Sequence, residues 1–322
     1  MSEVFHNGIV AAIATYAAVN IGRILWPGND SSLGLKNWFH FQNVDIKYWK
    51  NKVCFITGAS SGIGEALAIL IAKSGGTVIA CARRKEKLNQ IANMVKDCDG
   101  KIIPHKLDVT NISEDDFKTF LQLNIISKFG KLDICVLNAG RGALGLAENL
   151  NMDNVKSLYE LNVFSVIMQT KALIPILKKQ SNKANIVITS SLVGVLPNPG
   201  ETLYTSSKHA IHGFFNALRP EVSEFANVLL VCPGPVSTEF GENRISGAVD
   251  GTEKGRKKSI YVSAERCAQL YAIAIQEIES KGHTEVWLAK NPFLLFAYLA
   301  RYTPHLFAYV FKSVAKGMLP KE

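Results

Sequence analysis

Tyr204 and Lys208 are the two residues of this sequence whose types and spacing point most clearly to chemistry. They stand four residues apart in YTSSK, which places both side chains on one face of a helix, one turn apart. A phenol with an ordinary pKa of about 10 is a poor acid at neutral pH, but a neighbouring ammonium favours the phenolate. We therefore expect Tyr204 to exchange a proton with a substrate oxygen and Lys208 to tune its pKa.

Ser191 adds a third polar group to this pair. It lies at the end of the apolar segment ANIVITS, thirteen residues before Tyr204, which opens the next helix-length segment. A hydroxyl there can orient the oxygen of a carbonyl or alcohol while Tyr204 supplies or removes the proton. The alternative, a chance Tyr–Lys pair on a surface helix, does not account for this placement.

Apolar strand-length and helix-length segments alternate along the chain. This predicts an α/β fold: a doubly wound, mostly parallel, Rossmann-like sheet of about seven strands, with apolar N- and C-terminal extensions. Predicted strands begin at Lys52, Thr77, Lys101, Leu132, Ala184, Asn227 and Thr284. Predicted helices include Glu65 to Lys73, Ser113 to Ser127 and Val155 to Lys179. Pro220 should kink or end the helix that carries Tyr204.

The segment TGASSGIG, from Thr57 to Gly64, connects the first predicted strand to a helix. Gly58 can permit the tight turn, Gly62 can let backbone amides approach a pyrophosphate, and Gly64 can let the helix pack closely on the sheet. The phosphates would sit at the helix N-terminus, where unpaired amides and the dipole favour an anion. The order of strand, turn and helix thus favours a dinucleotide site, also contacted by Ser60, Ser61 and Ile63, over a plain connecting turn.

The residues that follow the second predicted strand indicate which dinucleotide binds. Where an acidic residue would accept the ribose 2′-hydroxyl of NAD, this chain has Ala82, followed by Arg83 and Arg84. A guanidinium can pair with a 2′-phosphate, so the sequence predicts NADP(H) as the cofactor. Under the alternative interpretation, the same arginines only begin a solvated helix.

These motifs, with LNAG at Leu137 to Gly140 and PGPVST from Pro233, resemble the short-chain dehydrogenase/reductase family in order and spacing. The resemblance implies hydride transfer between nicotinamide and a carbonyl or alcohol, with Lys208 also binding the ribose. It implies that Asn162 completes the catalytic set by holding a water in a proton relay to Lys208. Besides Tyr204 and Lys208, it implies cofactor contacts by Asp108, Val109, Asn138, Ala139, Gly140, Pro233, Gly234, Val236 and Thr238. The chain departs from the family pattern at Leu137, where a second Asn is common.

The segments SSKHAIHGFFNALR, CPGPV and EVWLAKNPFLLFAYL resemble the member-7 type of this family. That resemblance implies a membrane-associated enzyme of the endoplasmic reticulum that acts on lipophilic carbonyls such as steroids, retinoids or quinones. Family resemblance also implies a homodimer or homotetramer formed through the helices that carry Asn162 and Tyr204.

We divide the chain into an apolar segment and linker (1–50), a catalytic domain (51–290) and an apolar tail (291–322). Residues 4–22 contain no charged side chain and nearly span a bilayer, and the basic residues after them would keep the domain cytosolic. A helix packed on the domain is the alternative. Arg301 and Pro304 interrupt the tail, which favours two short interfacial helices, while a tail that completes the core or a subunit interface fits equally well.

The net charge of +9 suits a phosphate-bearing cofactor, anionic lipid or nucleic acid alike. The sequence has no zinc-type cysteine pair and no aromatic-basic pattern, so we predict neither a metal nor a nucleic-acid partner. His209 and His212 are interpreted as packing residues. Four cysteines lie in predicted buried strands, which favours a reduced, cytosol-facing domain.

Three segments should border a substrate pocket: Arg141 to Leu146, Leu192 to Thr202, and Thr238 to Ser259 as a lid or a disordered loop. Their apolar side chains favour a hydrophobic substrate, and they are Leu144, Leu146, Val193, Val195 and Leu196. One alternative function is a catalytically silent, membrane-associated NADP-binding scaffold or sensor. Another is a sugar-nucleotide epimerase, although the chain shows no additional substrate domain.

Overall fold

The computed structural model describes Gly22 and residues 30–33, 44–246 and 261–316 of the 322-residue chain. The predicted membrane-spanning segment 4–22, apart from Gly22, lies outside the described residues. The same holds for residues 247–259 of the predicted lid, so neither prediction is assessed by the fold.

Seven parallel strands form the central sheet of the described chain. They are β1 (Val53–Thr57), β2 (Thr77–Ala82), β3 (Lys101–Lys106), β4 (Ile134–Leu137), β5 (Ala184–Thr189), β6 (Ala226–Pro233) and β7 (Glu285–Leu288). Their order in the sheet is β7-β6-β5-β4-β1-β2-β3, and each neighbouring pair is parallel. The predicted doubly wound α/β fold is confirmed. The order reverses between β1 and β4, which opens a crevice at the carboxyl ends of these strands.

Helices cover both faces of this sheet. They are α1 (Gly62–Lys73), α2 (Lys85–Asn93), α3 (Glu114–Leu121), α4 (Met152–Tyr159), α5 (Ser165–Leu177), α6 (Thr202–Glu221), α7 (Ala264–Gln276), α8 (Phe293–Tyr302) and α9 (Pro304–Lys316). A π turn follows α3 at Gln122–Ile126, and another joins α4 to α5 at Glu160–Phe164. Helix α6 ends one residue beyond Pro220, as the sequence predicted. Ser113 starts α3 by accepting a hydrogen bond from the amide of Asp116, which explains the helix boundary there.

Alternating side chains of β1 show how the sheet builds two cores. Phe55 packs in a cluster on one face with residues of α3, α5 and α6, whereas Cys54 and Ile56 pack on the other face with residues of α1 and α7. All five residues of β1 are buried, as expected for a strand covered on both faces. Burial of a side chain the size of Phe55 contributes about 1.5–3 kcal/mol to stability. Such burial holds the central strands in place, and the ends of these strands define the crevice.

The C-terminal tail forms two short helices, α8 and α9, as one of the two predictions stated. Leu294 and Ala297 of α8 are fully buried in the same cluster as Trp287 of β7. Phe307 of α9 is also buried, whereas Tyr302 and Tyr309 are 71% and 82% exposed. The inner side of the tail therefore completes the core, and its outer side presents aromatic rings to solvent.

One stretch of the described residues, Met152–Leu177, is long and apolar enough to cross a membrane by length and composition. Half of its most apolar window is buried inside the fold, and this stretch contains Asn162. It is a core helix of the domain, so its hydropathy reflects packing against the sheet.

All six cysteines are free thiols. Burial raises the pKa of the thiols of Cys54, Cys81, Cys135, Cys232 and Cys267. Only Cys98, in the loop after α2, is partly exposed. Buried, protonated thiols of this kind are chemically unreactive.

Candidate active site

Three glycines shape the turn between β1 and α1. Gly58 and Gly62 have φ angles of +68° and +60°, in the left-handed region that glycine tolerates best. A Cβ atom on Gly64 would lie 2.5 Å from the carbonyl oxygen of Gly58, so only glycine lets α1 start this close to the strand. The backbone of this turn can therefore approach a bound phosphate group at the start of α1.

Asn138 ties the carboxyl ends of three strands together beside this turn. Its Nδ2 donates to the carbonyl oxygens of Thr57 and Gly58, at 3.0 and 3.3 Å. Its Oδ1 accepts a 3.1 Å hydrogen bond from the hydroxyl of Thr189 at the end of β5. Asn138 thus fixes the spacing of β1, β4 and β5 at the crevice.

Tyr204 and Lys208 lie on one face of α6, as the spacing predicted, and both are directed toward the end of β5. The Tyr204 hydroxyl interacts with the Ser191 side chain, and Lys208 Nζ donates to the carbonyl of Thr189 at 3.0 Å. Lys208 Nζ lies 5.7 Å from the centre of the Tyr204 ring. The structure therefore brings Ser191, Tyr204 and Lys208 to one place.

The electrostatics of this pair differ from the expectation. Burial raises the pKa of Tyr204, and the hydrogen bond from Ser191 offsets this only in part. Burial also lowers the pKa of Lys208 to about 8, and the electrostatic effect of Cys232 offsets this only in part. The Tyr204 pKa is therefore raised, not lowered as predicted, in the protein without cofactor, because desolvation outweighs the lowering by Ser191 and Arg244.

Asn162 sits in the π turn between α4 and α5 and is 1% exposed. Its Oδ1 accepts from the backbone amide of Arg141 at 3.0 Å, and its Nδ2 donates to the carbonyl of Arg141 at 2.9 Å. A Cβ atom on Gly140 would lie 3.3 Å from Asn162 Oδ1 and 3.8 Å from Lys208 Nζ. Asn162 therefore holds the loop after β4 and approaches the lysine. The π turn has no signal in the sequence, because one inserted residue barely disturbs the helical periodicity.

A cavity of about 920 Å³ runs along the carboxyl ends of the strands. All but two of the predicted site residues line it: Gly58, Ser60, Ser61, Gly62, Ile63, Arg83, Arg84, Asp108, Val109, Asn138, Ala139, Gly140, Ser191, Tyr204, Lys208, Pro233, Gly234, Val236 and Thr238. The two exceptions are Gly64 and Asn162, which support the cavity from behind. Of the apolar residues predicted to border the pocket, Val193 and Leu196 line the cavity, whereas Leu144, Leu146 and Val195 do not.

Arg84 is anchored on the glycine-rich turn. Its Nη2 donates to Ser61 Oγ at 2.7 Å and its Nε donates to Ser60 Oγ at 3.3 Å, while its Nη1 reaches Glu239. Arg83 is exposed and lines the cavity nearby. Arg84 therefore borders the phosphate-binding turn, Arg83 lines the cavity beside it, and the two residues directly after β2 are arginines, not carboxylates.

Aromatic side chains close the cavity at the other end, and sequence reasoning did not assign them to the site. Phe293, Phe296 and Phe311 of the tail line the cavity together with Phe240. The Phe240 and Tyr204 ring centres are 5.9 Å apart. No local pattern identifies the tail aromatics as site residues, because only folding of the tail onto the sheet brings them there.

His212 belongs to a second group of buried side chains, which adjoins the cavity at Ser190. Its Nε2 lies 2.8 Å from Ser190 Oγ, and its Nδ1 lies 3.3 Å from a carboxylate oxygen of Glu285. Ser190 is only 3% exposed, so this Ser–His–Glu series stabilises the turn that presents Ser191. His209 binds the backbone carbonyl of Thr205 on its own helix. Among the described residues, no three His, Cys, Asp or Glu side chains are placed to hold a metal ion.

The parallel fold and this site are those of a nucleotide-dependent oxidoreductase, and residues 52–248 match the family model of short chain dehydrogenases. The chain belongs to the short-chain dehydrogenase/reductase family. The human dehydrogenase/reductase SDR family member 7 is 33% identical over 262 residues, which cover 78% of this chain and 74% of the relative. The 11-beta-hydroxysteroid dehydrogenase-like 2 of Arabidopsis thaliana is 31% identical over 88% of this chain and 87% of its own length.

A solved structure shares the same fold. It is an alcohol dehydrogenase from the archaeon Thermococcus sibiricus, complexed with 5-hydroxy-NADP. The TM-score is 0.64 with 26% identity, and the match covers 74% of this chain and 97% of the archaeal one. Membership of this family makes the chain an oxidoreductase that uses a nicotinamide dinucleotide.

Proposed function

We propose that this protein is an NADP(H)-dependent oxidoreductase that interconverts a lipophilic carbonyl, such as a steroid, retinoid or quinone, and its alcohol. The observation that carries the proposal is one cavity with two different ends. The glycine-rich turn and two arginines form one end, tail aromatics form the other, and Tyr204, Lys208 and Ser191 lie between them.

The residues present fit the dinucleotide. Gly58 and Gly62 leave backbone space at the turn, and a Cβ atom on Gly140 would lie only 3.3 Å from Asn162 Oδ1. When bound, the cofactor supplies or accepts the hydride. Asp108 and Val109 would contact the adenine side, and Pro233, Gly234, Val236 and Thr238 would lie along the nicotinamide side.

In the reduction direction, Ser191 orients the substrate oxygen and Tyr204 donates the proton that the developing alkoxide needs. The raised pKa of Tyr204 in the protein alone keeps the phenol protonated before reaction. Lys208 is mostly an ammonium at pH 7, because its pKa is lowered only to about 8. We propose that Lys208 binds the ribose, stabilises the phenolate left by proton transfer and returns a proton to it, and that a water held near Asn162 then reprotonates Lys208.

We favour NADP(H) because Ala82 offers no acceptor for a ribose hydroxyl, whereas Arg83 and Arg84 can bind a 2′-phosphate. We expect Arg83→Asp to shift the preference toward NADH by repelling the phosphate. The measurement is the ratio of kcat/KM for NADPH and NADH in the two proteins. An unchanged ratio would reject the role of Arg83.

The tail supports a lipophilic substrate and a membrane surface. Phe293, Phe296 and Phe311 face the cavity, while Tyr302 and Tyr309 are exposed on the outer side of the same helices. We propose that residues 291–322 lie at the membrane interface and that the catalytic domain (51–290) faces the cytosol at the endoplasmic reticulum. Residues 1–50 would add a further anchor. The 31% identical relative named for a hydroxysteroid supports a steroid-like substrate.

We further propose a homodimer or homotetramer through the helices that carry Asn162 and Tyr204. Met152 and Phe164, on the first of these helices, are 63% and 54% exposed, so they offer apolar surface for a partner.

NADPH oxidation with steroid, retinal and quinone carbonyls tests the proposal, in purified membranes of the wild type and of Tyr204→Phe. We expect turnover with at least one lipophilic carbonyl and a fall of kcat/KM by roughly 100-fold or more in the variant. NADPH binding should be retained. Binding without turnover on any carbonyl would instead favour a silent NADP-binding scaffold.

A further inference from the structure

Glu239 connects the cofactor end of the cavity to the substrate end. Its Oε2 accepts a 3.2 Å hydrogen bond from Arg84 Nη1, and its Oε1 lies 3.6 Å from Lys87 Nζ. Arg84 lies beside the glycine-rich turn, because it also binds the hydroxyls of Ser60 and Ser61, and Lys87 reaches the same carboxylate. The Glu239 carboxylate thus contacts two cations next to the phosphate-binding turn.

The neighbours of Glu239 in the chain belong to the cavity wall. Thr238 packs so closely on the turn that a Cβ atom on Gly62 would lie 3.1 Å from its methyl group. Phe240 contacts the catalytic residue Tyr204, with ring centres 5.9 Å apart. A change in the position of Glu239 therefore acts directly on a side chain beside the substrate oxygen.

A phosphate group and a carboxylate compete for the same guanidinium. The Arg84–Glu239 pair is partly exposed, with 44% and 43% of the two side chains accessible, and ion pairs at such sites are weak. A dianionic 2′-phosphate pairs more strongly with Arg84 and Lys87 than a single carboxylate does. A cofactor without this phosphate leaves the Arg84–Glu239 pair intact.

We propose that Glu239 determines cofactor specificity by competing with the 2′-phosphate of NADP(H) for Arg84 and Lys87, so that only this cofactor frees the wall segment Glu239–Ser246. The inference rests on the proposed NADP(H) dependence and adds a residue outside the predicted cofactor set. Because Phe240 belongs to this segment, the 2′-phosphate would also change the packing beside Tyr204 at the substrate end.

The test compares the dissociation constants of NADPH and NADH for the full-length wild type and Glu239→Gln. We expect Glu239→Gln to bind NADPH roughly 2- to 5-fold tighter, because the competitor is removed, and to bind NADH unchanged. Glu86→Gln, in the first turn of α2, removes the same charge nearby and should leave both constants unchanged. Equal effects of Glu239→Gln and Glu86→Gln, or no effect of Glu239→Gln, would overturn the inference.

Amide hydrogen exchange of residues 240–246 provides a second readout. It should be faster in the wild-type complex with NADPH than in that with NADH, and the difference should disappear in Glu239→Gln. The variant Arg84→Ala distinguishes a wrong cofactor from a wrong role of Glu239. If the wild type shows no preference for NADPH and Arg84→Ala changes nothing, the proposed cofactor is wrong. If Arg84→Ala abolishes a preference that Glu239→Gln leaves intact, only the role of Glu239 is wrong.

Discussion

The two ends of the cavity are built in different ways. At the cofactor end, consecutive residues of one turn and the ends of adjacent strands form the surface. The single side chain of Asn138 is hydrogen-bonded to both β1 and β5. At the substrate end, Phe240 and the tail aromatics Phe296 and Phe311 come from segments far apart in the chain. Backbone geometry therefore defines the first end, and side-chain packing between distant segments defines the second. Substitutions at the cofactor end should therefore affect stability and cofactor binding, and those at the substrate end should affect KM.

The largest expected effect concerns Lys208, which lies between the two ends. We expect Lys208→Met to lower kcat/KM by roughly 100-fold or more while raising the stability of the fold. Folding removes the ammonium from water, and burial lowers its pKa to about 8 from the ordinary 10.5. This cost is present in full below about pH 8, decreases as the pH rises and vanishes above the unfolded value.

Urea unfolding at about pH 7 and about pH 10 measures this effect. The variant should be more stable by roughly 1–3 kcal/mol at the lower pH, and the difference should shrink at the higher pH. Lys156→Met, on the exposed side of α4, is the control and should change neither activity nor stability. A destabilised Lys208→Met at about pH 7 would show that the lysine supports the fold, contrary to our interpretation.

The next effect is specific to the cofactor end. Gly64→Ala would place a methyl group 2.5 Å from the carbonyl oxygen of Gly58 and 2.6 Å from Asn138 Nδ2. We expect a loss of roughly 1–3 kcal/mol in the free energy of unfolding, and NADPH binding roughly 10-fold weaker, since the turn must shift. Calorimetry and NADPH titration measure the two losses.

Gly213→Ala is the matched control, because a Cβ atom at that position on α6 meets nothing within 4 Å. It should stabilise the protein slightly through helix propensity. If both alanine variants behave alike, close packing at Gly64 does not define the cofactor end.

The smallest effect belongs to the substrate end. Phe296→Ala should raise KM for a large apolar carbonyl roughly 10-fold, because an aromatic wall is lost, and leave NADPH affinity unchanged. Tyr309→Ala, 82% exposed on the outer side of α9, should leave KM unchanged in detergent. Steady-state kinetics with a large and a small carbonyl would show the difference. Equal KM changes for both carbonyls would contradict a packing role for the tail.

The same contrast explains how much the sequence could predict. Strand alternation and the glycine spacing follow from local backbone rules, so all seven strands and the glycine-rich turn could be located from the sequence, whereas the strand order could not. Arg84 was grouped with Arg83, but its anchoring to Ser60 and Ser61 depends on how α2 approaches the turn. The raised pKa of Tyr204 could not be predicted either, because burial is a property of the folded cavity.

Helix α4 and the tail show the remaining limit. The π turn at Glu160–Phe164 adds one residue to a helix whose apolar pattern looks continuous in the sequence. The sequence of the tail was equally consistent with covering the core and with lying exposed. The structure shows both, because Phe307 is buried while Tyr309 is exposed. Such outcomes depend on contacts between distant segments, which periodicity does not encode.

The distribution of thiols has a practical consequence for following this protein in solution. Cys98 is the one cysteine of the six that is not fully buried, and it precedes β3, at the amino ends of the strands. The cavity lies at their carboxyl ends, on the opposite edge of the sheet. A maleimide dye should therefore couple to a single defined position, and its fluorescence could report tumbling or vesicle attachment without disturbing nucleotide capture.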